Sequence, residues 1–143
     1  TATFHWVPDH PGLFARLAGV LRPGGRLVAQ YGGRGNIASV AAVLEESGAC
    51  GDAVPWRFAS PEEAEAALRA AGFRECRTWL NPEATTFPSR ESLAEFLRTV
   101  VLWPCLERLP EPERDACVAQ VVGRLPSLVL DYVRLNIVAR MPL

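Results

Sequence analysis

The chain has 143 residues, of which 49% are apolar and 22% charged, the composition of one compact globular domain rather than of a disordered or fibrous chain. Its 15 basic residues offset 16 acidic ones to a net charge of -1, so no basic face for nucleic acid is indicated. No apolar run approaches the roughly 18 residues of a membrane span. All 15 basic residues are arginine, which reads as a coding bias and not as chemistry. The four cysteines, Cys50, Cys76, Cys105 and Cys117, form no Cys-x-x-Cys pair. Neither His5 nor His10 completes a metal-ligand spacing with them. They are expected to be reduced, mostly buried thiols of a cytoplasmic protein, with no metal.

Thr1 to Val7 is strand-like, has no initiator Met and is no signal peptide. It reads as the end of a strand, so the chain is expected to begin inside a larger fold. Pro8-Asp9-His10-Pro11 breaks that strand. Leu13, Phe14, Leu17, Val20 and Leu21 then make one apolar helical stripe, which Pro23-Gly24-Gly25 stops. Arg26 to Tyr31 is a mostly apolar strand. Strand, helix, stop and strand predict a right-handed crossover between parallel strands.

Gly32 to Gly35 is a flexible exit, and a helix is predicted from about Asn36 to Ser47. Gly48 to Phe58 reads as a loop. Ser60-Pro61-Glu62-Glu63 predicts a helix start with a capping box. Gly72 ends that helix, and Phe73 to Leu80 reads as a strand. From residue 81 to 127 the pattern changes. Ser89 can cap one helix, Pro104 kinks or ends it, and Pro110-Glu111-Pro112-Glu113 opens another with acids in its first turn. The pair reads as a helical hairpin inserted between strands. From Val129 to Arg140 a period-2 alternation predicts an edge or antiparallel strand.

Ala2-Thr3-Phe4-His5-Trp6-Val7-Pro8-Asp9-His10, a helix, and then Leu21-Arg22-Pro23-Gly24-Gly25-Arg26-Leu27-Val28 resemble class I S-adenosylmethionine-dependent methyltransferases. The stretch from Phe96 to Arg114 resembles the helical insertion of the trans-aconitate methyltransferase-like subgroup. Tyr132 to Arg140 is similar to that group's last, antiparallel strand. The resemblance covers the C-terminal half of such an enzyme. It implies an α/β fold, the C-terminal part of a Rossmann-like methyltransferase sheet: parallel strands, a final antiparallel strand, and a helical lid. Residues 1–80 and 127–143 would form the core, and 81–126 the lid over the acceptor site. It also implies S-adenosylmethionine as cofactor and a small-molecule methyl acceptor. The family's Gly-rich cofactor loop and its ribose-binding acid would lie upstream of Thr1, within a domain of roughly 250 residues. The chain alone would then be inactive.

Under this resemblance Thr1, Ala2 and Trp6 are cofactor-side residues, and Tyr31, Arg34 and Trp103 face the acceptor. His5 and Trp6 follow a strand's carboxyl end, where open α/β sheets bind ligands. His5 reads either as a general base for an acidic acceptor proton or as a local hydrogen-bonding group. Trp6 reads either as pocket wall or as packing against the next helix. Arg34 reads as a partner for a substrate carboxylate or as a solvated surface residue. Trp103, beside Pro104, is a lid candidate. Gly33-Arg34-Gly35-Asn36-Ile37-Ala38 also fits a dinucleotide fingerprint, but the required acidic residue about 20 positions on is missing from a strand end. Two function classes follow: a methyltransferase half, or a non-catalytic interaction module that pairs its open sheet edge with a partner or with itself. An oxidoreductase fragment is a third, weaker reading.

Overall fold

The structure is a computed structural model that describes residues 2–50 and 56–143. They fall into two compact units. The first holds residues 2–36, 56–83 and 132–143, and the second holds 37–50 and 84–131. No helix of the described residues is long and apolar enough to cross a membrane.

In the first unit the chain opens with a 3₁₀ turn, Phe4–Trp6. This corrects the expected strand over residues 1–7. Trp6 and Val7 donate their N–H groups to Thr3 and Phe4 carbonyls at 3.0 Å, so the backbone bonds are closed locally. Helix α1, His10–Val20, starts where the Asp9 carboxylate accepts the Gly12 N–H at 2.9 Å, satisfying an otherwise orphan donor. Its stripe buries Phe14 completely, but Val20 is 79% exposed.

Strand β1, Arg26–Gly32, pairs antiparallel with β5, Val133–Arg140, and β5 pairs antiparallel with β2, Arg74–Pro82. The order is β1-β5-β2. β1 and β2 therefore run in the same direction, and the last strand lies reversed between them. The alternation of β5 puts Leu135, Ile137 and Ala139 on one face, all completely buried. They meet Tyr31 of β1 and Phe14 of α1 there, together with Leu68 of helix α3, Pro61–Ala70. At roughly 1.5–3 kcal/mol for each large apolar side chain removed from water, this face is the main cohesive term of the unit. The opposite face carries Gln30 hydrogen-bonded to Asn136 at 3.0 Å, and Val28, 64% exposed.

Helix α3 forms as its sequence predicts. The Ser60 hydroxyl accepts the Glu63 N–H at 3.2 Å, and the Glu63 carboxylate accepts the Ser60 N–H at 2.7 Å. Gly72, with φ at +98°, ends the helix in a conformation that costs glycine least.

The second unit is mostly helical. Helix α2, Ala38–Ser47, is followed by α4, Arg90–Phe96, a π turn at Leu97–Val101, α5, Trp103–Leu106, and α6, Glu111–Arg124. Ser89 caps α4 through the Ser92 N–H at 3.1 Å. Two short strands, β3, Thr85–Thr86, and β4, Val129–Leu130, pair antiparallel. The alternating run expected from Val129 to Arg140 is therefore split at Asp131 and Tyr132. The Asp131 carboxylate accepts the Ser39 N–H at 3.0 Å and the Ser39 hydroxyl at 2.7 Å, which fixes the start of α2.

Cysteine chemistry also departs from the expectation. Cys50 and Cys105 form a disulfide across 55 residues, with Cα atoms 5.0 Å apart, while Cys76 and Cys117 are free. The sequence holds no local motif for this pair, because the bridge depends on the end of α2 meeting α5 in space. By chain entropy, a loop of this size contributes roughly 4 kcal/mol to the oxidised unit.

Removing the cap tests α3. Ser60→Ala should lower the unfolding free energy by about 1 kcal/mol, seen as a lower denaturant midpoint at an unchanged slope. Unchanged midpoints would show that α3 holds without its capping box.

Candidate functional site

The carboxyl end of β1 gathers the site within the first unit. Gly32 donates its N–H to His5 Nδ1 at 3.2 Å, and Arg57 donates its N–H to the His5 carbonyl at 2.7 Å. The next residue must be small. A Cβ on Gly33 would stand 2.6 Å from Leu80 Cδ2 and 2.7 Å from Leu135 Cβ. Gly33 then donates to the Val133 carbonyl at 3.0 Å, and Arg34 to the Ala59 carbonyl at 2.9 Å. Asn36 accepts the Val133 N–H at 2.9 Å. The turn after β1 is thus sewn to β5 on one side and to the approach to α3 on the other.

His5 is 8% exposed. Because Nδ1 accepts the Gly32 N–H, the neutral ring carries its proton on Nε2. Burial, then the charges of Arg134 and His10, lower its pKa from 6.5 to about 4. The ring is therefore neutral at pH 7 and its Nδ1 lone pair is engaged. His10, buried behind it, sets its Nε2 3.1 Å from the Phe4 carbonyl, and burial lowers its pKa as well.

Aromatic rings surround His5. Its centroid lies 5.2 Å from Trp6 and 5.7 Å from Phe58. Trp56 stacks on Phe58 at 5.8 Å and meets Trp6 edge-on at 6.0 Å. Such a group offers apolar, polarisable walls with few polar atoms, as small-molecule sites do. At its border Glu63 joins Arg34 and Arg57, each at 3.4 Å. The Ser60 N–H, then the two guanidiniums, hold the Glu63 carboxyl below the usual range. Arg34 is 66% exposed at its side chain; an ion pair this open contributes little to stability and leaves the guanidinium available.

The structure brings together His5, Trp6 and Arg34 among the residues singled out from sequence. Ala2 is exposed in a turn just before them, and Thr1 lies outside the described residues. Tyr31 is completely buried between Phe4, at 5.3 Å, and His10, at 5.7 Å. Burial raises the pKa of its hydroxyl. Trp103 belongs to the second unit, where it is 44% exposed beside a hollow of about 220 Å³ lined also by Arg98, Leu106 and Arg114. Sequence reasoning missed Trp56, Arg57, Phe58 and Glu63 as site residues. The Trp-Arg-Phe run was the available signal: two aromatics flanking a cation at the end of a loop.

No family model matches the chain. A trans-aconitate 2-methyltransferase of Mycolicibacterium gilvum is 28% identical over 134 residues, 88% of this chain and 52% of that protein. Among solved structures, a candidate methyltransferase of Bacillus halodurans superposes with a TM-score of 0.56 at 15% identity, over 99% of this chain and 67% of that one. The fold is that of part of a Rossmann-like methyltransferase sheet, as in the Bacillus halodurans structure. The chain spans about half the length of the curated relative it matches. A phosphoethanolamine N-methyltransferase of Haemonchus contortus, solved with S-adenosyl-L-methionine, is a looser likeness: TM-score 0.48, 17% identity, 98% of this chain and 31% of that one.

Acid should weaken the fold through His5. Unfolded, its imidazole takes a proton near pH 6.5; folded, only near pH 4. The unfolded state thus binds more protons between these values, so stability present above pH 6.5 is lost as pH falls toward 4. His10 adds to the same trend. His5→Gln, which can still accept from Gly32, should flatten the decline, read as denaturant midpoints at pH 7 and pH 4.5. An equal decline in the variant would remove His5 from the account.

Proposed function

We propose that this chain is the acceptor-side half of an S-adenosylmethionine-dependent methyltransferase acting on a small molecule. The observation that carries the reading is the site at the end of β1, lying in a fold similar to methyltransferases over nearly the whole chain. The cofactor supplies a methyl group already activated on a sulfonium. Trp6 fits the edge of such a group: it is half-buried, next to His5 and Trp56, and an aromatic face attracts a cation. Ala2 and Thr1 lead into that position. The remaining cofactor contacts are assigned to an upstream segment of the full protein, as the resemblance implies.

In this proposal His5 is a positioning residue. Its Nδ1 already accepts from Gly32, so it holds the turn after β1 and presents an Nε2–H donor. Transfer then proceeds by in-line placement of acceptor and methyl, which alone accounts for a large part of such accelerations. Arg34 and Arg57, both paired to Glu63 and with Glu62 also near Arg34, give the border exposed guanidinium donors that suit an acceptor carboxylate. The helical unit, with Trp103, is the proposed lid.

The full-length protein should bind S-adenosylhomocysteine in a calorimeter. Absence of heat at millimolar cofactor would overturn the reading. Arg34→Ala in that protein should raise KM for an acidic acceptor about tenfold, a loss of about 1.4 kcal/mol, with kcat little changed.

A second reading has its own observation. β1 has no partner on its outer side among the described residues, and Val28 on it is 64% exposed. An unpaired apolar edge favours association. The 143-residue chain alone should self-associate in size-exclusion chromatography with light scattering, and Val28→Lys should reduce it. A stable monomer at high micromolar concentration would count against this reading.

A further inference from the structure

The Cys50–Cys105 disulfide joins two segments of the helical unit that have little else in common in sequence. Cys50 lies three residues beyond the end of α2, after Gly48 turns the chain into a left-handed conformation. Cys105 sits in α5, a four-residue helix carrying Pro104, set between the π turn and α6. Both are buried, at 6% and 1% exposure. The other two cysteines are free thiols. Cys76 lies on β2 of the first unit. Cys117, on α6, lines a hollow of about 290 Å³ with Ser47, Glu113 and Ala49, the last being the residue before Cys50. Burial pushes the Cys117 thiol up, which keeps it protonated and a poor nucleophile at neutral pH.

We propose that Cys50 and Cys105 are a reversible redox lock on the helical unit, opened by a dithiol reductant and closed by a low-molecular-weight disulfide such as glutathione disulfide. In opening, one reductant thiolate attacks Cys50 Sγ and the S–S bond breaks. Cys105 leaves as a thiolate and takes a proton. The second reductant thiol displaces Cys50, which takes the other proton, and the reductant departs as a cyclic disulfide. Two electrons and two protons pass to the protein. Closing runs the same steps with glutathione disulfide, releasing two glutathione thiols. Locked, α5 stays against the end of α2. Unlocked, α5 and the adjoining π turn lose their only covalent tie to the end of α2 among the described residues, keep the Arg98–Asp115 ion pair and the buried anchors Leu102 and Leu106, and open more often.

The test uses the whole chain. Treated with glutathione disulfide, unfolded and alkylated with N-ethylmaleimide, it should take two adducts, at Cys76 and Cys117. After dithiothreitol it should take four. Limited proteolysis between residues 97 and 110 should be at least tenfold faster in the reduced chain, with cutting in the first unit unchanged, and glutathione disulfide should restore the slow rate. Cys105→Ser and Cys50→Ser should each be cut at the fast rate in both conditions, while Cys117→Ser should behave as the native sequence. Four adducts after glutathione disulfide would overturn the proposal. Equal cutting rates in the two redox states would do so as well.

Discussion

Everything in the first unit depends on β5 lying reversed between β1 and β2. Without it neither strand has a hydrogen-bonding neighbour among the described residues, and Tyr31, Phe14 and Leu68 have no sheet face to pack on. The strand closest to the carboxyl terminus is thus the one that joins segments more than 50 residues apart in sequence. Such non-local pairing carries the loop-closure cost before contacts repay it. The burial of Leu135, Ile137 and Ala139 offsets that cost. The alternation that buries them leaves Asn136 free to meet Gln30 on the other face.

The same strand builds the site. Val133 is bonded twice to the turn after β1, as acceptor from Gly33 and as donor to Asn36. These bonds fix where Gly32 presents its N–H, and that N–H fixes the tautomer of His5. The proton position on an imidazole in the aromatic group is therefore set by strand pairing on the opposite side of the turn. A site held this way is positioned by sheet register and not by loop conformation. That explains why the crowded Gly33 cannot carry a side chain without displacing Leu80 or Leu135.

Legibility in the sequence follows the range of the physics. The capping box of α3, the Ser89 cap of α4 and the glycine stop at Gly72 are bonds within a few residues, and each was readable from residue type and spacing. The buried face of β5 was readable too, because period-2 alternation reports burial directly. Residues 4–6 were not: Phe, His and Trp suit a strand, and what closed them into a 3₁₀ turn was the Thr3 and Phe4 carbonyls together with the tie from His5 to Gly32. The disulfide was equally silent, since two cysteines 55 residues apart have no motif. His5 and Trp6 were singled out as following a strand that is in fact a 3₁₀ turn, and Arg34 as following β1, whereas Trp56, Phe58 and Glu63 come near them only through the fold of the segment before α3.

The ring of His5 narrows what the site can do chemically. A general base needs a free lone pair facing the proton it takes, and a pKa near the working pH. Here one nitrogen accepts a backbone N–H and the other holds the ring proton. Protonating Nδ1 would break the Gly32 bond and place a cation beside Arg134 and His10, which is why burial and those charges push the pKa down to about 4. The surroundings oppose the charged form rather than preparing it. A reaction whose electrophile arrives already activated places no demand on such a base. It asks for placement, for exclusion of water by rings such as Trp6, Trp56 and Phe58, and for a polar border that orients an acceptor. Under the proposed function, the arrangement at the end of β1 would meet these demands with a neutral imidazole beside the rings of Trp6 and Phe58.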